Sequence, residues 1–114
     1  MLSYQHAYHA GNAADVHKHA LLAAALARLT AKEKPLRYVE THAGRGVYDL
    51  SDAAARRTGE AQAGVGRLLE RLPQDHPYVA LVSQVRADRG PDAYPGSPVI
   101  AARMLRPDRS ESVV

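Results

Sequence analysis

The strongest constraint on the fold is the order of three local patterns in the first half of the chain. Apolar residues recur at three- and four-residue steps over residues 13–32, which predicts a long helix with Asn12 as its cap. Pro35 ends this helix, and residues 36–39 have the pattern of a short strand. A turn with two glycines follows at residues 40–46. The sequence therefore predicts a helix, a strand and a glycine turn in direct succession.

The glycine turn has the sequence THAGRG at residues 41–46. Two glycines two apart let a backbone pass close to a ligand, where a Cβ would collide with it. The dinucleotide pattern needs a third glycine at position 49, and Asp49 disfavours a nicotinamide site. A G-x-G after a strand is common in turns that bind S-adenosylmethionine, and a plain strand-to-loop turn is the open alternative. His42 can bond a ligand carboxylate or simply cap the loop.

The first nineteen residues form an arm that is rich in polar rings. They hold four of the six histidines and two of the six tyrosines, with no apolar run before Ala20. Aromatic rings occupy every second position of the arm at Tyr4, His6 and Tyr8. Flat rings of this kind are suited to stacking on a base that is extruded from a nucleic acid. The alternative is that the rings fold back onto the helix as an extension of the core.

His17, Lys18 and His19 lie together on the predicted helix. Residues two apart lie about 200° apart around a helix, so His17 and His19 cannot bind the same metal ion. We therefore predict no metal site. Lys18 beside a pocket can hold an anion as a point charge, and the alternative is a solvated helix residue.

The second half of the chain has a different composition. Residues 50–90 are rich in alanine and arginine, with helical patterns at 60–72 and 77–88 that we interpret as a helical insertion. Its arginines can track a phosphate backbone or can simply be solvated. Residues 94–98 read as a turn before a third helix, with Ser97 as the N-cap and an end near Arg106. Residues 110–114 resemble the start of a strand.

Composition limits the class of protein. A chain of 114 residues allows one small domain, and a core without Phe or Trp is thin. A net charge of +3 permits contact with phosphate without requiring it. The lack of cysteine removes disulfides and thiolate chemistry and fits a reducing compartment. The longest apolar stretch, residues 20–27, is too short to span a bilayer. We expect a soluble, cytoplasmic protein with no membrane contact.

Four segments together resemble the RlmJ family of 23S ribosomal RNA adenine-N6 methyltransferases. The matching stretches are MLSYQHAYHAGNAADVHKH, YVETHAGRGVYDL, RTGEA and YPGSPVIAARML. The resemblance implies the N-terminal portion of a Rossmann-like α/β fold that uses S-adenosylmethionine as methyl donor and 23S ribosomal RNA as substrate. It divides the chain into the arm, first helix, first strand and cofactor turn (1–49), a helical insertion (50–92) and a return to the methyltransferase domain (93–114).

Residue roles follow from the resemblance position by position. Tyr4 would meet the substrate RNA, with His6 and Lys18 close to the active site. Five residues would bind the cofactor: His19, His42, Gly44, Gly46 and Ser97.

One departure from the family pattern decides what the chain can do alone. The family's catalytic signature, Asp-Pro-Pro-Tyr, does not occur between residues 1 and 114, and we expect it to lie beyond Val114. In that signature an Asp and a backbone carbonyl accept from the adenine amino group, whose lone pair is otherwise delocalised into the ring. We therefore expect no catalytic residue within the chain, which should be inactive alone and be the N-terminal part of a longer enzyme.

Other interpretations remain open at this point. The arm and the arginine-rich helices can form a nucleic-acid-binding module without methyl transfer, or serve in the use of external DNA, with which the family has been linked. A metal-dependent nuclease is disfavoured, because the carboxylates are not clustered and the histidines are badly phased. Helices built to cover a larger sheet would expose apolar faces such as the Leu22–Leu26–Leu29 stripe, so we expect marginal stability or self-association of the chain.

Overall fold

The computed structural model describes residues 5–52, 59–107 and 111–113. Over these ranges the helices are α1 (Ala13–Thr30), α2 (Glu60–Ala63), α3 (Val65–Leu68), α4 (Pro77–Arg89) and α5 (Ser97–Met104). Short 3-10 turns lie at His6–Tyr8 and Leu69–Arg71. The strands are β1 (Arg37–Val39), β2 (Val47–Asp49), β3 (Ala93–Pro95) and β4 (Glu111–Val113).

The strands form two separate pairs in the described part of the chain. β1 pairs in parallel with β4, with Arg37 opposite Glu111, and a parallel pair requires a long crossover such as the one that contains α4 and α5. β2 pairs antiparallel with β3, with Tyr48 opposite Tyr94. The architecture is therefore a mixed α/β one.

The predicted start of a strand at residues 110–114 is confirmed for its central part. Strand β4 covers Glu111–Val113, and its parallel partner β1 lies at the other end of the chain's sequence. Val114, the residue beyond which we expect the catalytic signature, lies outside the described residues. The expected position of that signature is therefore a prediction from the family resemblance alone.

Helix α1 begins as predicted and ends earlier than predicted. The Asn12 side chain accepts from the backbone N–H of Asp15 at 2.9 Å, so the predicted cap is confirmed. The predicted end at residue 32 is wrong by two residues, because the helix stops at Thr30, whose hydroxyl donates to the Leu26 carbonyl at 2.8 Å. The Arg106 guanidinium then donates to carbonyls beyond the last full turn, including that of Lys34 at 3.0 Å.

The predicted helix over residues 60–72 is broken at Gly64. The backbone N–H of Val65 donates to the Gly11 carbonyl at 2.8 Å, which draws the arm against the segment. A Cβ on Gly64 would collide with that carbonyl oxygen. A long-range contact thus divides the pattern into α2, α3 and a 3-10 turn, which local periodicity cannot anticipate.

The start of α5 also differs from the prediction. The sequence predicts a turn at residues 94–98, yet Tyr94 and Pro95 belong to β3, and β2 has no counterpart among the predicted elements. Ser97 is the first helical residue rather than the N-cap; Gly96 caps the helix without a side-chain bond. The helix ends at Met104, short of the predicted Arg106. Strands β2 and β3 pair with each other from distant parts of the sequence, so local pattern does not reveal them.

The core lies where α1, α4, α5 and β3 meet. Its largest fully buried side chains include Tyr78, Tyr94 and Ile100. The prediction of an exposed leucine stripe on α1 is wrong for Leu26, which α1 buries in this core, and correct for Leu29. Leu22 is partly buried against the same cluster. The helices therefore cover one another and not only a sheet.

Candidate functional site

Four segments that are distant in sequence meet around one cleft of about 760 Å³. They are the arm, the first turns of α1, the glycine turn after β1 and the start of α5. Six of the residues singled out from the sequence line it: His6, Lys18, His19, His42, Gly44 and Ser97. Tyr4, the predicted RNA contact, lies outside the described residues. Convergence of these positions is a property of the fold that no single motif encodes.

The arm is packed onto α1 at His6. The His6 Nε2 lies 2.6 Å from the Asp15 carboxylate, and its ring meets the Tyr48 ring edge-on at 5.3 Å between centroids. His9 makes a second link, with its Nδ1 2.6 Å from the Glu60 carboxylate. The alternative in which the rings of the arm fold back onto the helix therefore holds for His6, which still lines the cleft.

Asp15 is the organising carboxylate of this part of the cleft. Its side chain is 3% exposed, and its Oδ2 accepts from the Gly11 backbone N–H at 3.0 Å as well as pairing with His6. Its Oδ1 lies 3.6 Å from the Lys18 ammonium, whose side chain is 64% exposed. A buried charge needs such partners to offset its desolvation. Lys18 thus stands at the solvent edge of the cleft, with most of its side chain exposed.

His19 forms the buried wall of the cleft. It is 2% exposed, and its Nδ1 lies 2.8 Å from the Tyr94 hydroxyl. Burial lowers the pKa of His19 to about 4, although the negative charge of the nearby Asp15 carboxylate acts to raise it. The imidazole is therefore neutral at pH 7. Its neighbours His17 and Lys18 point outwards and are exposed.

The glycine turn owes its glycines to contacts inside the protein. A Cβ on Gly44 would lie 2.6 Å from the Tyr48 hydroxyl, which accepts from the Arg45 backbone N–H at 3.1 Å. A Cβ on Gly46 would lie 3.0 Å from a methyl group of Val99, and Gly46 is not among the residues that line the cleft. His42 is exposed beside the cleft, with its Nδ1 2.9 Å from the Thr41 hydroxyl.

Sequence reasoning missed several residues that build the site. It identifies Asp15 only by its place in the first turn of a helix, and it assigns no role to Tyr48, Tyr78 and Tyr94. The signal available for Asp15 was its spacing of three residues to Lys18 and four to His19, which puts all three on neighbouring turns. No local signal connects Tyr94 to His19, because the two are 75 positions apart.

Two absences hold for the described residues. No group of three or more His, Asp or Glu side chains there is arranged to hold a metal ion. None of the helices there combines the length and the apolar character that crossing a membrane requires.

The fold and the cleft define a class: an α/β protein with an open cleft beside a glycine turn that follows a parallel strand. The model of one protein family, described as ribosomal RNA large subunit methyltransferase D, RlmJ, matches residues 33–113. The chain therefore belongs to the RlmJ family.

Individual relatives agree with this assignment. Ribosomal RNA large subunit methyltransferase J of Escherichia coli K12 is 42% identical over 109 residues, and the protein of that name from Haemophilus influenzae Rd is 44% identical over 110. Each match covers 93% of this chain and 39% of the relative. The crystal structure of a Legionella pneumophila protein is similar with a TM-score of 0.77 and 41% identity, over 91% of this chain and 39% of that one. The chain thus spans about two fifths of the length of these relatives.

Proposed function

We propose that the chain supplies the cofactor half of an S-adenosylmethionine-dependent methyltransferase that acts on the N6 amine of an adenine in 23S ribosomal RNA. The observation that carries the proposal is the convergence of the arm, α1, the glycine turn and the start of α5 on one cleft. Membership in the RlmJ family adds the reaction class. A ribosomal RNA substrate would place the enzyme in the cytoplasm.

The residues at the cleft fit the chemistry of such a cofactor. S-adenosylmethionine carries a carboxylate, an ammonium group and an adenosine, and it supplies an electrophilic methyl group when bound. The N–H of the His19 imidazole, the Lys18 ammonium and the Ser97 hydroxyl can donate to its anionic and polar groups. Lys18 and His6 at the exposed edge can meet the RNA phosphate or the base. His42 and Gly44 line the same cleft, where the His42 imidazole can donate to the cofactor carboxylate.

The proposed domain division fits the way β2 and β3 pair. Asp49 at the end of β2 is opposite Ala93 at the start of β3, and the Leu50 N–H donates to the Asp92 carbonyl at 2.8 Å. The two ends of the segment 50–92 therefore lie next to each other, as expected of an insertion into a Rossmann-like domain. Helix α4 from this insertion still packs on α1, so it contributes to the common core.

Cofactor binding is testable with two matched histidine variants. His42 and His17 are both exposed, but only His42 lines the cleft. Isothermal titration of the 114-residue chain with S-adenosylmethionine is expected to detect binding. His42→Ala is expected to weaken it about ten-fold through loss of one hydrogen bond to a charged ligand, while His17→Ala leaves it unchanged. Lack of binding by the unaltered chain, or equal losses in the two variants, would contradict the proposal.

Catalysis by this chain alone is expected to be absent. No Asp-Pro-Pro-Tyr sequence occurs from Met1 to Val114, so the adenine amine would lack its acceptor. Incubation with labelled S-adenosylmethionine and 23S ribosomal RNA that lacks the modification should give no transfer above background. Transfer above background would overturn the assigned need for that signature. Salt-dependent RNA binding by a chain that ignores the cofactor would favour a nucleic-acid-binding module instead.

A further inference from the structure

A line of three buried polar side chains lies behind the wall of the cleft. His19 comes from α1, Tyr94 from β3 and Tyr78 from α4. The Tyr78 hydroxyl lies 2.8 Å from that of Tyr94, which lies 2.8 Å from the His19 Nδ1. Both tyrosines are fully buried, and only His19 lines the cleft. Two hydroxyl groups thus connect the centre of the core to one ring nitrogen of a cleft residue.

Proton accounting fixes the direction of these hydrogen bonds. If the bonds ran from His19 towards Tyr78, the last proton would sit on a fully buried Tyr78 hydroxyl, which has no further acceptor within the described residues. In the other direction Tyr78 donates to Tyr94, and Tyr94 donates to the His19 Nδ1. Both buried hydroxyl protons then have an acceptor. This direction is favoured because a buried donor without an acceptor costs free energy.

The protonation of the three groups agrees with this direction. Burial lowers the pKa of His19 to about 4, so that one ring nitrogen is free to accept at neutral pH. Burial also raises the pKa of Tyr78 and of Tyr94 above the usual range, so that both hydroxyls keep their protons. A neutral imidazole that accepts at Nδ1 must carry its own proton on Nε2.

We propose that Tyr94 is a positioning residue that holds His19 in its Nε2–H tautomer, with Tyr78 orienting the Tyr94 hydroxyl, so that the imidazole presents an N–H donor to an anionic group of the ligand in the cleft. The identity of that ligand as S-adenosylmethionine rests on the proposed function; the tautomer does not. His19 is thereby a fixed donor rather than a general base.

A purely structural role for the two tyrosines makes a different prediction. Under a purely structural role, removal of either buried hydroxyl would change stability only, and neither change would alter the nitrogen that carries the His19 proton. A positioning role separates the two, because only Tyr94 contacts the imidazole. The tautomer is therefore the measurement that distinguishes the two roles.

The test is ¹⁵N NMR of the histidine rings in the 114-residue chain, which reports the tautomer without any ligand. The unaltered chain is expected to have His19 wholly as Nε2–H. Tyr94→Phe should give averaged nitrogen shifts, because neither nitrogen then has a fixed partner. Tyr78→Phe should keep the Nε2–H form, as should the control Tyr38→Phe, since Tyr38 lies on β1 outside this line.

Cofactor titration of the same variants gives the second measurement. Tyr94→Phe is expected to weaken S-adenosylmethionine binding about ten-fold, as the loss of one directed hydrogen bond predicts. A His19 proton on Nδ1 in the unaltered chain, or an unchanged tautomer in Tyr94→Phe, would overturn the proposal, as would unchanged affinity in that variant. If Tyr94→Phe fails to fold, a His19 proton on Nδ1 in the unaltered chain or in Tyr78→Phe would still overturn the proposal. A chain with the expected tautomer that binds no cofactor would refute the proposed function alone.

Discussion

Replacement of Asp15 by Asn tests whether a buried charge organises the cleft. Both the His6 ring at 2.6 Å and the Gly11 N–H at 3.0 Å meet the same oxygen, Oδ2, so an Asn oxygen in that place can keep both bonds. What is lost is the charge, and each charge-assisted bond falls from about 1.5–3 to about 0.5–1.5 kcal/mol. The exposed Lys18 pair adds less than about 1 kcal/mol. Because Asn also avoids the desolvation of a charge, we expect a net loss of about 1–2 kcal/mol.

Urea denaturation of the chain measures this loss, with two further variants for comparison. Asp15→Ala leaves the Gly11 N–H and His6 without an acceptor at this position, and we expect it to cost about 3–5 kcal/mol. Asp88→Asn is the matched control, since Asp88 pairs with Arg103 at 2.7 Å but is 55% exposed, and we expect less than about 1 kcal/mol. An Asp15→Ala chain as stable as Asp88→Asn would refute the reasoning that Asp15 is an essential buried acceptor.

Three further predictions follow from the same contacts. The pKa of His19 is lowered to about 4 from 6.5 in the unfolded chain, so the unfolded state binds more protons than the folded state between these pH values. The folded state therefore keeps its full stability above pH 6.5 and loses up to about 3 kcal/mol of it as the pH falls towards 4. Unfolding free energies at pH 4.5 and 7 should show this slope, and His19→Gln should reduce it; an equal slope in both chains would contradict the assignment. Gly96→Ala places a Cβ against the Arg45 carbonyl oxygen and should lower the free energy of unfolding, measured by thermal unfolding, by about 3 kcal/mol. The control Gly59→Ala has a φ of +69° but open space around the new Cβ, and it should lower the free energy of unfolding by about 1 kcal/mol. Equal losses would argue against the close approach at Gly96. Leu21 and Val39 are 60% and 58% exposed, so we expect concentration-dependent association in sedimentation velocity that Leu21→Glu reduces, and a strictly monomeric chain would count against it.

Features set by neighbouring residues were readable from the sequence. Asn12, three residues before the Asp15 N–H that it caps, identified the start of α1 within its own turn. Pro35 and the short β-branched and aromatic run after it identified β1, and Pro77 lies in the first turn of α4 as its pattern suggested. Each of these signals acts over a few residues, which is the range of a side-chain cap or of a proline's fixed φ.

Features set by distant residues were not readable. The break at Gly64 depends on the Gly11 carbonyl, and the strand at Tyr94 depends on its partner Tyr48. The end of α1 depends on Arg106, more than 70 positions away. In each case a favourable local pattern was overridden by a hydrogen bond or a steric contact that exists only after the chain has folded.

The candidate site divides in the same way. The sequence alone determined which residues have the chemistry to bind a ligand, through the histidines of the arm, Lys18, the glycine turn and the family motifs that contain them. Only the tertiary structure decided that Lys18 and His17 face solvent while His19 is buried, because helix α1 packs one face against α4 and α5. It also decided that Asp15 holds His6 and that Tyr94 meets His19. Burial and hydrogen-bond direction are properties of the assembled core, and no residue type carries them by itself.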